Sequence, residues 1–185
     1  MQTTRAKLTF KRGNLFDSNM QTLANTVNTV GVMGAGIAKE FKRRYPKMFA
    51  EYKERCARHE VMTGEPYCWK PPQEDAGDSR WVLNFPTKKH WRNASQIAWL
   101  ESGLLHLKEN YRNWGIKSLA MPALGCSLGG LRWEEVRPLM EKHLRDLDVP
   151  VEIYEPLPEQ KPRRAQPRQK FQRETARQPL QTTLL

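Results

Sequence analysis

Three short stretches of this 185-residue chain combine residue types that can do chemistry. The first, NTVNTVGVMGAGIA at 25–38, begins like a strand and ends like a helix, with Gly31, Gly34 and Gly36 packed into the join. Such a junction exposes backbone N–H groups and finishes at the positive end of a helix dipole, which together make a cradle for phosphate. Glycines that only permit a tight turn satisfy the same pattern. The spacing Gly-x-x-Gly-x-Gly differs from the dinucleotide fingerprint, and no Gly-Lys-Ser/Thr follows, as a nucleotide-hydrolysing loop requires. The second stretch, GCSLGG at 125–130, repeats the arrangement at another strand-to-helix junction. Two such loops on neighbouring strand ends can grip a diphosphate from both sides, whereas tight turns alone must be invoked twice.

The third stretch, TKKHWR at 87–92, follows a strand and precedes a helix. A lysine amine near another cation loses proton affinity and becomes nucleophilic, or as an ammonium it stabilises an oxyanion. Three cation-capable residues in a row also describe a solvated loop. His90 has the pKa class of a general acid, although a loop histidine often just bonds backbone. Trp91 beside Arg92 suits stacking on a single-stranded base, or a plug in the core. Cys126 has no histidine near it in sequence and reads as a small packing residue. With Cys56 and Cys68 it makes an odd set without Cys-x-x-Cys spacing, so neither a disulfide framework nor a zinc site is supported and the cytoplasm is the expected compartment.

Elements that must position these stretches follow from periodicity. Residues 6–11 alternate apolar and polar and stop at Gly13, and 23–28 form a second short strand. Ile37, Ala38, Phe41 and Tyr45 share a helical face until Pro46 interrupts, and a further helix covers 47–59. Strands at 65–70 and 80–85 make a hairpin, closed by Pro86. Ser95 is expected to cap a long helix with the stripe Ile97, Leu100, Leu104, Leu107 and Tyr111. A strand at 116–121 runs into Pro122, a helix covers 133–147 with Pro138 tolerable only near its first turn, and 151–154 is the last strand. Strands alternating with helices argue an α/β sheet covered on both faces, which binds ligands beyond the strand carboxyl ends.

The hydrophobic content of 38% and the mean hydropathy of −0.77 are low for a compact chain and point to a polar segment. From Pro156 onward, Pro, Gln and Arg dominate, with seven Lys and Arg against two Glu, and this tail (156–185) is expected to be disordered beside a folded unit at 1–155. The net charge of +11 divides into +5 on the tail and +6 on the rest. Both parts suit a polyanionic partner, and a solvated basic surface gives the same count. No apolar signal core or membrane-length span is present.

Four ordered motifs, GNL at 13–15, NTVNTVGVMGAGIAKEFKRRYP at 25–46, NFPTKKHW at 84–91 and MPALGCSLGGLRWEEV at 121–136, resemble the macrodomain family. Within it they are most similar to the DarG-type antitoxin branch and, beyond that, to the eukaryotic terminal ADP-ribose glycohydrolases. The resemblance covers about residues 6–154. It implies a three-layer α/β/α domain with a mixed central sheet that binds ADP-ribose, without cofactor or metal. The first loop (Gly31, Val32, Met33, Gly34, Ala35, Gly36, Ile37) would hold the pyrophosphate and distal ribose. The second (Pro122, Leu124, Gly125, Cys126, Ser127, Leu128, Gly129, Gly130, Leu131) would close over them.

By the same resemblance, Asn14, with Leu15 beside it, stands where many macrodomains place an Asp that receives the adenine amino group; an amide carbonyl can accept that bond, and a turn-forming role is the bland alternative. Asn28 would orient the distal ribose, or cap the turn. Lys88 would act at its anomeric carbon, with Lys89 as fallback. Lys89, His90, Trp91 and Arg92 become candidates for contact with DNA. The eukaryotic relatives pair the lysine with an Asp, where this chain has Gly129. The implied activity is removal of ADP-ribose from a nucleobase, thymidine in single-stranded DNA, reversing a partner ADP-ribosyltransferase toxin. Removal from acidic protein side chains, or binding without turnover, are the rival expectations. DarG-type proteins usually carry a further C-terminal domain that sequesters the toxin; here the basic tail is expected in its place, so the expected link to a toxin is functional rather than physical.

Overall fold

The computed structural model describes residues 8–72 and 79–156. The expected disordered tail therefore lies, beyond Pro156, outside the described residues, as do the start of the first predicted strand and most of the hairpin turn. The described residues form six strands and four α-helices, in the order β1 (Leu8–Lys11), β2 (Thr22–Asn28), α1 (Gly36–Arg44), α2 (Pro46–Ala57), β3 (Tyr67–Trp69), β4 (Trp81–Lys88), α3 (Ile97–Trp114), β5 (Leu119–Pro122), α4 (Trp133–Leu144) and β6 (Val151–Tyr154). They form one sheet in the order β1-β6-β5-β2-β4-β3. All neighbours are parallel except the antiparallel pair β3–β4, so the sheet is mixed, as expected.

Strand alternation sends side chains to two separate cores, which makes the molecule three-layered. On one face, Phe41 of α1, Met48 and Tyr52 of α2, and Tyr45 at the junction between these helices pack on Leu23, Val27 and Val82. On the other, Leu100, Leu104, Leu107 and Tyr111 of α3, with Val136 and Met140 of α4, cover Leu83, Phe85, Leu119 and Met121. Helix α3 sits so close that a Cβ on Gly103 would come 2.5 Å from the Phe85 ring, a contact that packs β4 against α3 three residues before the strand ends at Lys88.

Adjacent strands β2 and β5 feed helices on opposite faces, α1 on one and α4 on the other, so a crevice opens between their carboxyl ends. Each glycine stretch leaves one of these two strands.

Four local expectations need correction. Pro86 does not end its strand: β4 continues to Lys88, with Val27 opposite Pro86 and a register shift after it. The missing N–H falls on the side of β3, whose pairing has already ended at Tyr67 opposite Asn84, and the Pro86 carbonyl accepts from Gly64 N–H at 3.3 Å. Ser95 does not cap α3. Gln96 takes that position, while Ser95 N–H donates to the Gly129 carbonyl at 2.9 Å. Helix α4 stops at Leu144 and holds Pro138 beyond its first turn, and β5 begins at Leu119, with Ile116 buried ahead of it.

Candidate active site

A cleft of about 890 Å³ runs along the carboxyl edge of the sheet. Five parallel strands contribute to its lining through the residues at their ends: Asn14 and Leu15 after β1, Thr26 to Asn28 in β2, Thr87 and Lys88 in β4, Pro122 in β5, and Tyr154 and Glu155 at β6. The two glycine loops supply its walls.

The first loop is braced from below by Asn28. This side chain is 6% exposed; its Oδ1 accepts from Val30 N–H at 3.0 Å and Val32 N–H at 3.3 Å, and its Nδ2 donates to the Val32 carbonyl at 2.6 Å. The one hydroxyl hydrogen of buried Tyr52 is shared between the Asn28 carbonyl, at 2.8 Å, and the Asn28 side-chain oxygen, at 3.0 Å. Desolvation holds the Tyr52 phenol far above its usual pKa, so it stays a donor. Asn28 thus lines the cleft with most of its hydrogen-bonding capacity committed to the shape of the loop, leaving one amide hydrogen.

Helix α1 begins where the loop ends. Its N-cap is Ala35, in extended conformation, no side chain caps the first turn, and no acidic residue lies in it. The orphan N–H groups of the first turn therefore face the cleft at Gly36, Ile37 and Ala38, where an anion would complete the helix. Gly36 adopts φ +56°, and a Cβ there would stand 3.1 Å from Leu128 Cδ1 of the opposite loop. The two loops meet across the cleft at this contact.

The second loop makes a single 3-10 turn at Ser127–Gly129, again without a side-chain cap. Ser127 is held at φ +61°, a left-handed conformation that costs a residue with a side chain about 1–2 kcal/mol. The turn bonds its own backbone through Gly129 and Gly130 N–H, and Leu131 N–H returns to the Gly125 carbonyl. Among the described residues the N–H groups of Ser127 and Leu128 have no partner, and both residues line the cleft. Burial, with Glu134 nearby, pushes the Cys126 thiol up to about 11, so it is an unreactive lining residue.

Lys88 leaves the end of β4 and donates its ammonium to the Leu128 carbonyl, spanning from the sheet to the second loop. Desolvation lowers its pKa below the ordinary 10.5. Gly129 lies between this lysine and Ser95: a Cβ there would make ordinary contact with Lys88 Cε, at 3.9 Å, but would come within 2.7 Å of Ser95 Oγ. A larger residue at 129 would require the Ser95 hydroxyl to turn away.

Asn14 stands exposed at the other end of the cleft, and its Oδ1 already accepts from Phe16 N–H at 3.1 Å as the cap of a short turn. Of the remaining candidates, Gly34, Ala35, Val32, Trp91 and Gly125 line the cleft, whereas Gly31, Met33, Leu124, Gly130 and Leu131 are not part of the lining. Gly31 (φ +78°) and Gly130 (φ +77°) serve the turns, and Met33 and Leu124 are core residues. Lys89 points its amine over Trp99, at 5.8 Å, and His90 Nδ1 accepts from Arg92 N–H at 3.2 Å. Thr26, Val27, Ala123, Tyr154 and Glu155 join the cleft without having been singled out in the sequence. Their only signal was position at a strand carboxyl end. Among the described residues, no cluster of His, Cys, Asp or Glu has the arrangement of a metal site, and no helix is long and apolar enough to cross a membrane.

Comparison with known proteins adds the following. The profile of the Macro domain family matches residues 24–140. A Thermosipho africanus DNA ADP-ribosyl transferase-DNA ADP-ribosyl glycohydrolase fusion protein is 45% identical over 163 residues, covering 81% of this chain and 42% of its own length. This chain thus spans less than half the length of that relative. The solved structure of Thermosipho africanus DarTG in complex with ADP-ribose superposes with TM-score 0.77 at 45% identity, over 85% of this chain and 43% of that one. The macrodomain of Mycobacterium tuberculosis DarG superposes with TM-score 0.74 at 41% identity, over 82% of this chain and 99% of that one.

Proposed function

The chain belongs to the macrodomain family, and from that premise we propose that it is a DNA ADP-ribosyl glycohydrolase. Its substrate is ADP-ribose joined to a nucleobase, thymidine in single-stranded DNA. It cleaves the bond between the ribose anomeric carbon and the base: water's hydroxyl ends on the carbon and its proton on the base. The observation that carries this reading is the convergence of two uncapped peptide loops and one partly desolvated lysine on a single cleft.

In this reading the first turn of α1 and the Ser127 and Leu128 amides hold the pyrophosphate, as helix termini hold phosphates elsewhere. Asn28 fixes the first loop and offers its remaining amide hydrogen to the distal ribose. Lys88 acts at the anomeric carbon. The basic net charge of +11 favours a nucleic-acid substrate, and the enzyme that installs the modification, an ADP-ribosyltransferase toxin, is a functional partner. The free thiols of Cys56, Cys68 and Cys126 suit a reducing cytoplasm.

Incubation with an ADP-ribosyl-thymidine oligonucleotide tests the proposal. Free ADP-ribose and unmodified oligonucleotide are expected, with much slower release from a glutamate-linked ADP-ribosyl peptide. Because desolvation lowers the Lys88 pKa, its neutral amine forms at lower pH than an ordinary lysine's, so kcat should rise with pH and level off below 10.5. A kcat falling through that window would assign the chemistry to the ammonium, and no release from either substrate would leave a binding module.

A further inference from the structure

Among the described residues six large apolar side chains are exposed, and four of them, Val30, Val32, Trp91 and Leu128, stand on the three loops around Lys88. Val32, Trp91 and Leu128 also line the cleft. Apolar surface gathered at one mouth of a polar cleft marks a place where a ligand covers it. Lys88, which acts at the anomeric carbon in the proposed reaction, bonds the Leu128 carbonyl, and Trp91 follows it by three residues, so this rim borders the group attached to that carbon.

From this rim we propose that Trp91, with Val32 and Leu128, forms the subsite for the leaving nucleobase, and that Arg92 and Lys89 meet the flanking phosphates of a single strand. The inference rests on the glycohydrolase reading. Trp91 is 47% exposed and Leu128 64%, and both line the same cleft, so each presents open apolar surface to a planar ring. The platform is held in place: Thr29 donates N–H and Oγ1 to the Lys89 carbonyl, at 3.3 and 2.8 Å, which ties the Lys88 loop to the first glycine loop. His90 lies 5.2 Å from the Trp91 ring at an interplanar angle of 30°. Its Nδ1 is committed to Arg92 N–H, which makes His90 a support for the tryptophan.

The Arg92 guanidinium covers the ring at 4.5 Å. An exposed cation–π contact is weaker than stacking of a base on an aromatic side chain, so a base displaces it. The freed guanidinium then stays within reach of a phosphate. A carboxylate-linked adduct offers this rim no flat apolar face, which favours a nucleobase as the occupant.

The test uses the Lys88→Ala protein, so that ligands persist, and compares dissociation constants for ADP-ribosyl-thymidine and ADP-ribose. The base should tighten binding about tenfold or more, as expected for one stacked base. Adding Trp91→Ala should abolish that gain, and Trp91→Phe should restore most of it; melting curves check that each variant is folded. A gain that survives Trp91→Ala, or an equal Trp91-dependent gain with an ADP-ribosyl-glutamate peptide, overturns the assignment. Release of ADP-ribose from the same nucleoside by the wild-type protein is scored in parallel. Tighter binding without release sinks the glycohydrolase reading and leaves the base subsite standing; release without a Trp91-dependent gain does the reverse.

Discussion

Lys88→Ala is expected to lower kcat on ADP-ribosyl-thymidine DNA by on the order of 10²–10³-fold, the cost of removing one well-placed group from a reacting centre. The lysine stands at the end of a strand locked by the Phe85 ring against Gly103, so its backbone does not depend on what the side chain does. Among the described residues Leu128 is the side chain's one hydrogen-bonded partner, through its carbonyl. Loss of an ordinary hydrogen bond changes stability or binding by about 0.5–1.5 kcal/mol, so ADP-ribose affinity should move by less than about tenfold. Lys88→Arg keeps a charge but supplies no amine, and should remain slow if the neutral amine is the reacting form. Steady-state release of ADP-ribose, with calorimetric binding beside it, separates the two effects. A Lys88→Ala protein that turns over at the wild-type rate would remove the lysine from the chemistry.

The second large effect is expected at Gly36. Here φ is +56°, a β-branched side chain is strained whatever space is available, and the added methyl groups would project between Leu128 and the first turn of α1. Gly36→Val should therefore close the diphosphate cradle without entering either core. Losing two charge-assisted hydrogen bonds of about 1.5–3 kcal/mol each raises the dissociation constant for ADP-ribose by roughly a hundredfold or more. Gly36→Ala should show a smaller loss of the same kind. Titrations of both variants, with melting curves to confirm folding, measure this. Affinity within a few-fold of wild type for Gly36→Val would mean that the diphosphate is held elsewhere.

Much of this architecture was legible in the sequence because its signals are local. The Phe41 and Tyr45 face and the Leu100, Leu104, Leu107, Tyr111 stripe lie in the two cores, and the break at Pro46 separates α1 from α2. The two glycine loops were legible for the same reason, since turn and helix start are encoded within a few residues. What escaped depends on sheet order. β6 inserts between β1 and β5, and only that placement brings Tyr154 and Glu155 to the cleft. Pro86 looked like a strand end because proline lacks a donor, yet its donor side lies where β3 has already stopped. Ser95 looked like a cap because serine usually is one, but its N–H is taken by Gly129, 34 positions later in the chain. Asn28 was legible as the residue at the strand end that lines the cleft, though not as the brace its bonds to Val30, Val32 and Tyr52 make it.

Titration of the wild-type protein with ADP-ribose, set against adenosine, tests most directly whether bare peptide amides from two loops clasp a pyrophosphate. One molecule of ADP-ribose per chain should bind with measurable heat and a raised melting temperature, and adenosine, lacking the diphosphate, should bind at least about a hundredfold more weakly. Equal affinity for the two, or no heat and no shift with ADP-ribose, would contradict it.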